Sequence, residues 1–163
     1  MNNKSTTVVE RFSITKAISI KESLEGKYPY NVDSTCIGNY HIQWWIIKKY
    51  GYTKPKKSFI KERSIQDSVF SYLWQLNKLT MFPVKKGKFD SSRYLGKQIK
   101  GIVFDEELVL VGTFFAGSTH MYRFLKSNGK IDVSDGLSSI VSYLRDYMKI
   151  RNTYIVSDLL TSK

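Results

Sequence analysis

A chain of 163 residues with 42% hydrophobic and 14% aromatic side chains can bury one ordinary core, which excludes a largely disordered protein and makes a single domain over 1–163 the expected organisation. One cysteine excludes an internal disulfide framework, and two histidines leave no set of soft ligands at zinc spacing, so neither a metal nor a cofactor is expected. The 26 Lys and Arg against 14 Asp and Glu give a net charge of +12, a field that draws the chain toward polyanions: nucleic acid, anionic lipid or an anionic cell wall.

The first residues are polar through Glu10 and do not form a signal peptide, and no apolar run reaches the length of a membrane span. The expectation is a soluble chain made in the cytoplasm, which needs a dedicated secretion machine if it acts elsewhere. Basic runs occur at Lys54–Lys57, Lys85–Lys88 and Lys97–Lys100. Each is either part of a polyanion-binding face or an ordinary solvated surface.

In chain order, an amphipathic helix is expected over Ser13–Leu24, followed by a break at Glu25–Tyr30. Asp33 or Ser34 then caps a second helix carrying Cys36, with Ile37, Tyr40, Trp44 and Ile47 at helical spacing and Gly51 as its stop. A basic loop covers Thr53–Lys61. Ser64–Leu79 is the clearest helix, with Ile65, Val69, Tyr72, Leu73, Leu76 and Leu79 three and four residues apart. From Lys97 the period changes, and Ile99–Phe104, Leu108–Phe115 and His120–Leu125 read as strands. Asn128-Gly129 suits a two-residue hairpin turn, which makes Ile131–Val133 the partner strand. Ser134 or Asp135 caps a last helix through Tyr147, and Thr153–Val156 reads as a further strand. The fold class is therefore α+β, with N-terminal helices and the cysteine helix packed on an antiparallel sheet.

A cysteine at a helix start is a candidate nucleophile, because the unpaired N–H groups there lower a thiol pKa. The competing reading is a small apolar side chain in the core. A nucleophile needs a histidine base and a group that orients it. His41, five residues on, lies about 140° around the expected helix and is poorly aimed. His120 opens a strand and is the better base. With Asn128-Gly129 at the turn centre, Tyr122 faces Asp135 and Leu125 faces Asp132, so Asp135 shares a face with His120 and is the third candidate. A one-residue bulge exchanges Asp135 for Asp132.

This order of Cys36, His120 and Asp135 resembles the papain-like and NlpC/P60-type cysteine peptidases. Within them, Ser34-Thr35-Cys36-Ile37, the Ser64–Leu79 helix with Pro83, Gly96-Lys97 through Gly101–Phe104, and Gly117–His120 are similar to the fourth family of type VI secretion amidase effectors. The resemblance implies a papain-like single domain and hydrolysis of peptidoglycan stem peptides between D-Glu and diaminopimelate. It also implies a toxin delivered to the periplasm of a target cell and a cognate immunity protein. Lys130–Gly136 also looks like the end of host-directed papain-like effector proteases, which implies a protease or deamidase acting on a host protein. The reading of a different class is a non-enzymatic nucleic-acid binder that uses its lysine loops with Tyr and Trp.

Overall fold

The computed structural model describes the backbone of residues 4–30, 35–85 and 88–161, and the side chains of 14–30, 35–85 and 88–153. The elements are α1 (Lys4–Ser23), β1 (Cys36–Ile37), β2 (Ile42–Gln43), α2 (Trp44–Tyr50), α3 (Lys56–Lys61), α4 (Arg63–Met81), β3 (Gln98–Ile99), β4 (Ile102–Val103), α5 (Glu106–Ala116), α6 (Ser118–Lys126) and α7 (Ile140–Thr161). Among the described residues the architecture is α+β, with seven α-helices and two two-stranded antiparallel sheets. The chain forms two compact units, Met1–Phe70 with Asp146–Lys163, and Ser71–Arg145.

In the first unit β1 and β2 form a hairpin, with Cys36 opposite Gln43 and Ile37 opposite Ile42. Its turn places Gly38 at φ +81° and His41 at φ +44°. Gly38 is required there: a Cβ would fall 2.6 Å from Gln66 Oε1 and 3.0 Å from Phe59 Cε1. Gln66 is buried, accepts the Asn39 N–H at 2.7 Å, and donates from Nε2 to the Phe59 and Ile60 carbonyls at 3.0 and 2.9 Å. One amide therefore ties the hairpin turn to α3 and α4. Ala17 and Ile18 of α1, Ile37, Tyr40, Ile47 and Phe59 are buried in the same unit. Gly51 ends α2 in the left-handed conformation, its N–H directed to the Ile47 and Lys48 carbonyls, as expected of a C-terminal glycine.

The expected cysteine helix is corrected here. Helix begins only at Trp44, and Cys36 lies in a strand. The paired β-branched Ile37 and Ile42, and a turn that needs Gly38 at positive φ, favour the hairpin over a helix that a mid-helix glycine weakens. The cap positions Asp33 and Ser34 lie outside the described residues. The Thr53–Lys61 loop holds a short helix after Pro55, and the helix expected over Ser64–Leu79 is present as α4.

In the second unit β3 and β4 pair Gln98 with Val103 and Ile99 with Ile102, turning through Lys100 and Gly101 at φ +54° and +80°. The one strand expected over Ile99–Phe104 is thus two short ones. Leu108–Phe115 is a helix, not a strand: Asp105 accepts the Leu108 N–H at 2.8 Å and caps α5, and Glu106 and Glu107 suit its first turn. Every residue from Leu108 to Thr113 is buried, and an apolar run of that kind has no period that separates helix from strand. His120–Leu125 is also helical, with Met121, Phe124 and Leu125 buried at helical spacing. Asn128 and Gly129 do not make a hairpin. They end α6 in left-handed conformations, with the Gly129 N–H on the Phe124 carbonyl at 2.9 Å. The backbone of Thr153–Val156 continues α7, so the strand expected there is corrected as well.

Candidate functional site

Cys36 is half-buried in the first unit, and Thr35 Oγ1 donates toward its Sγ at 3.9 Å. Cys36 lies in β1, and helix begins only at Trp44, so Cys36 does not sit at a helix N-terminus. The histidine in the same unit is His41, which sits in the hairpin turn. Its Nε2 donates to the Tyr28 carbonyl at 2.7 Å, and Nδ1 lies 3.7 Å from Glu22 Oε2. A carbonyl only accepts, so Nε2 carries the proton.

His120 and Asp135 belong to the second unit. His120 is exposed on the first turn of α6 and donates from Nδ1 to the Ala116 carbonyl at 3.1 Å. Asp135 is in a turn closed by the Ser134–Ser139 bridge, and its Oδ1 accepts the Leu137 and Ser138 N–H groups at 2.8 and 2.7 Å. Among the described residues no hydrogen bond or ion pair joins His120 to Asp135. The pairing that placed them on one face needed two strands, and the chain has a helix and a turn instead. Asp132 accepts the Val141 N–H at 3.3 Å near the start of α7, which is a local structural role.

A different group of side chains converges in the second unit. Arg93, on the short helical turn Ser92–Tyr94, donates from Nη2 to the Tyr122 hydroxyl of α6 at 2.8 Å. Its guanidinium lies 5.0 Å from the Tyr94 ring centre and 5.9 Å from that of Tyr122. Lys97 lies 5.5 Å over Tyr94, and Lys88 lies 5.2 Å over Phe89, whose ring meets Tyr122 edge-on at 5.7 Å. Tyr94 is buried, Phe89 and Tyr122 are half-buried, and the three cations are exposed.

The rings form a floor and the charges lie on it. Each ring face attracts its cation and orients it without neutralising it. Tyr94 and Tyr122 push the already high Arg93 pKa further up, so the guanidinium is a permanent charge. Close by, the Ser92 N–H donates to Asp90 Oδ1 at 3.1 Å and holds that carboxyl below its usual value. Arg93 commits one arm of its fork to Tyr122 and also interacts with the Tyr94 hydroxyl, and the remaining N–H groups of its five suit an oxyanion such as phosphate. The flanking lysine runs were visible in the sequence. The decisive pair, Arg93 with Tyr122, spans 29 positions and needed α6 to be recognised as a helix.

No family model, curated protein or solved structure matches the chain.

Proposed function

We propose that the protein binds nucleic acid through the cationic face of its second unit. The observation that carries this reading is Arg93, hydrogen-bonded to Tyr122 and flanked by Lys88 and Lys97 on aromatic rings. The net charge of +12 supports it, since a polyanion is the partner that such a field attracts over distance. The test is a titration of labelled oligonucleotides at several salt concentrations, with Arg93→Ala beside the parent chain. Binding that weakens steeply with salt and with loss of Arg93 is expected. Binding indifferent to both contradicts the reading.

The second reading is the papain-like cysteine amidase or protease, with Cys36 as nucleophile. It is supported by a half-buried thiol and by the resemblance of the flanking segments. Peptidoglycan as substrate, secretion to a target periplasm and an immunity partner all belong to this reading and to no other. Digestion of sacculi followed by product mass analysis tests it. Loss of digestion in Cys36→Ala supports it, and digestion that persists in that variant removes it.

A further inference from the structure

We infer that α6, joined to α5 through Gly117, is a recognition helix that enters the major groove of duplex DNA. The inference rests on the nucleic-acid reading above and names its substrate class.

The turn is one residue. Gly117 has φ +78° and ψ +158°, a conformation that a residue with a Cβ adopts only with strain. Its N–H ends α5 on the Thr113 carbonyl at 2.8 Å, and its carbonyl accepts the Met121 N–H at 3.0 Å to start α6. The two helices then approach closely at one point. A Cβ on Gly112 would fall 2.5 Å from Met121 Sδ and 3.0 Å from its Cε, so a position without a side chain sets how near α6 lies to α5. Apolar burial fixes the orientation of α6: Met121, Phe124 and Leu125 are buried.

The opposite face is left for a ligand. Thr119, His120, Arg123 and Lys126 are exposed, recur at three and four residue spacing, and share their helix with no acidic residue. These side chains offer the hydroxyl, imidazole and guanidinium groups that hydrogen-bond base edges. The acidic residues of α5 lie in its first turn instead. Asp105 caps that helix, and Glu106 pairs with Lys78 at 2.7 Å. Nine residues of helix extend about 13 Å, comparable with the roughly 12 Å width of the major groove.

Two features select duplex over single strand. Single-strand binders stack bases on open aromatic faces. Here Tyr94 is buried, Tyr122 is half-buried, and both lie close to the Arg93 guanidinium. Arg93 is also bonded to α6 itself, so a phosphate contact is held beside the reading helix, the division of labour that a groove requires.

The test is selection from a random duplex library, with single-stranded DNA of the same length titrated in parallel. The parent chain is expected to prefer duplex and to enrich a short consensus. The Thr119→Ala, His120→Ala, Arg123→Ala triple variant replaces only exposed side chains. It is expected to lose the consensus, about tenfold or more in discrimination for each base contact removed, while retaining salt-dependent non-specific binding. Arg93→Ala is expected to keep the consensus and weaken all sequences alike. A preference for single strand, no consensus from the parent, or the same consensus from the triple variant overturns the inference and leaves nucleic-acid binding standing. No binding to any oligonucleotide removes both.

Discussion

Gly112 of α5 lies against Met121 of α6 so closely that a Cβ at position 112 would fall 2.5 Å from the sulfur. Met121 is buried and its thioether is the flexible end of the contact, so a single methyl group is accommodated more readily than a branched side chain. Gly112→Ala gains up to about 1 kcal/mol in helix propensity and loses a similar amount to the shift of Met121. Gly112→Val is expected to destabilise by about 2 kcal/mol in urea unfolding, with Ala near neutral.

The cap of α5 gives a second expectation. Asp105 accepts the Leu108 N–H at 2.8 Å, and that helix is buried from Leu108 to Thr113. Asp105→Ala is expected to cost about 1 kcal/mol, and Asp105→Asn much less, because the amide oxygen can still accept. Equal costs for the two variants would remove the cap from the account.

In the first unit the buried amide of Gln66 makes three hydrogen bonds, to the Asn39 N–H and to two carbonyls of α3. Gln66→Leu leaves a buried donor without its acceptor and is expected to cost about 3 kcal/mol in denaturant midpoint analysis. Gly38→Ala strains the same turn through its φ of +81° and its approach to Gln66, and is expected to destabilise as well.

Tyr40 sets an alkaline limit on stability. Burial raises its pKa well above the ordinary value of 10.0, and the hydrogen bond from its hydroxyl to Asp67 Oδ1 at 2.5 Å adds to the rise. A folded-state pKa raised above the unfolded one contributes stability that is fully present below the unfolded value and is lost as pH rises toward the folded one. Unfolding free energy is therefore expected to fall with pH from about 10 upward. Tyr40→Phe should show a shallower fall between pH 9 and 11 than the parent chain.

How much of this was legible in the sequence differs by element. The α4 helix was, because Ile65, Val69, Leu73 and Leu76 repeat at helical spacing, and Gly51 marked the end of α2 because few other residues adopt its conformation. The Asn128-Gly129 pair is ambiguous for the same physical reason that makes it readable. Positive φ at two successive residues serves a hairpin turn and a helix end equally. The wholly buried Leu108–Thr113 run hid α5, and the strand-like His120–Leu125 segment hid α6 and with it the neighbour relation between Arg93 and Tyr122. For the candidate site, the lysine runs were visible, but the choice of His120 and Asp135 depended on strands that the chain does not form.

The most direct test of nucleic-acid binding is fluorescence anisotropy of a labelled duplex against sodium chloride between about 50 and 200 mM. The parent chain is expected to give a steep linear fall of log affinity with log salt, and Arg93→Ala a fall shallower by about 0.9, the loss of one phosphate contact. Cys36→Ala should superimpose on the parent. Affinity that does not change with salt, or an Arg93→Ala line coincident with the parent, contradicts the account.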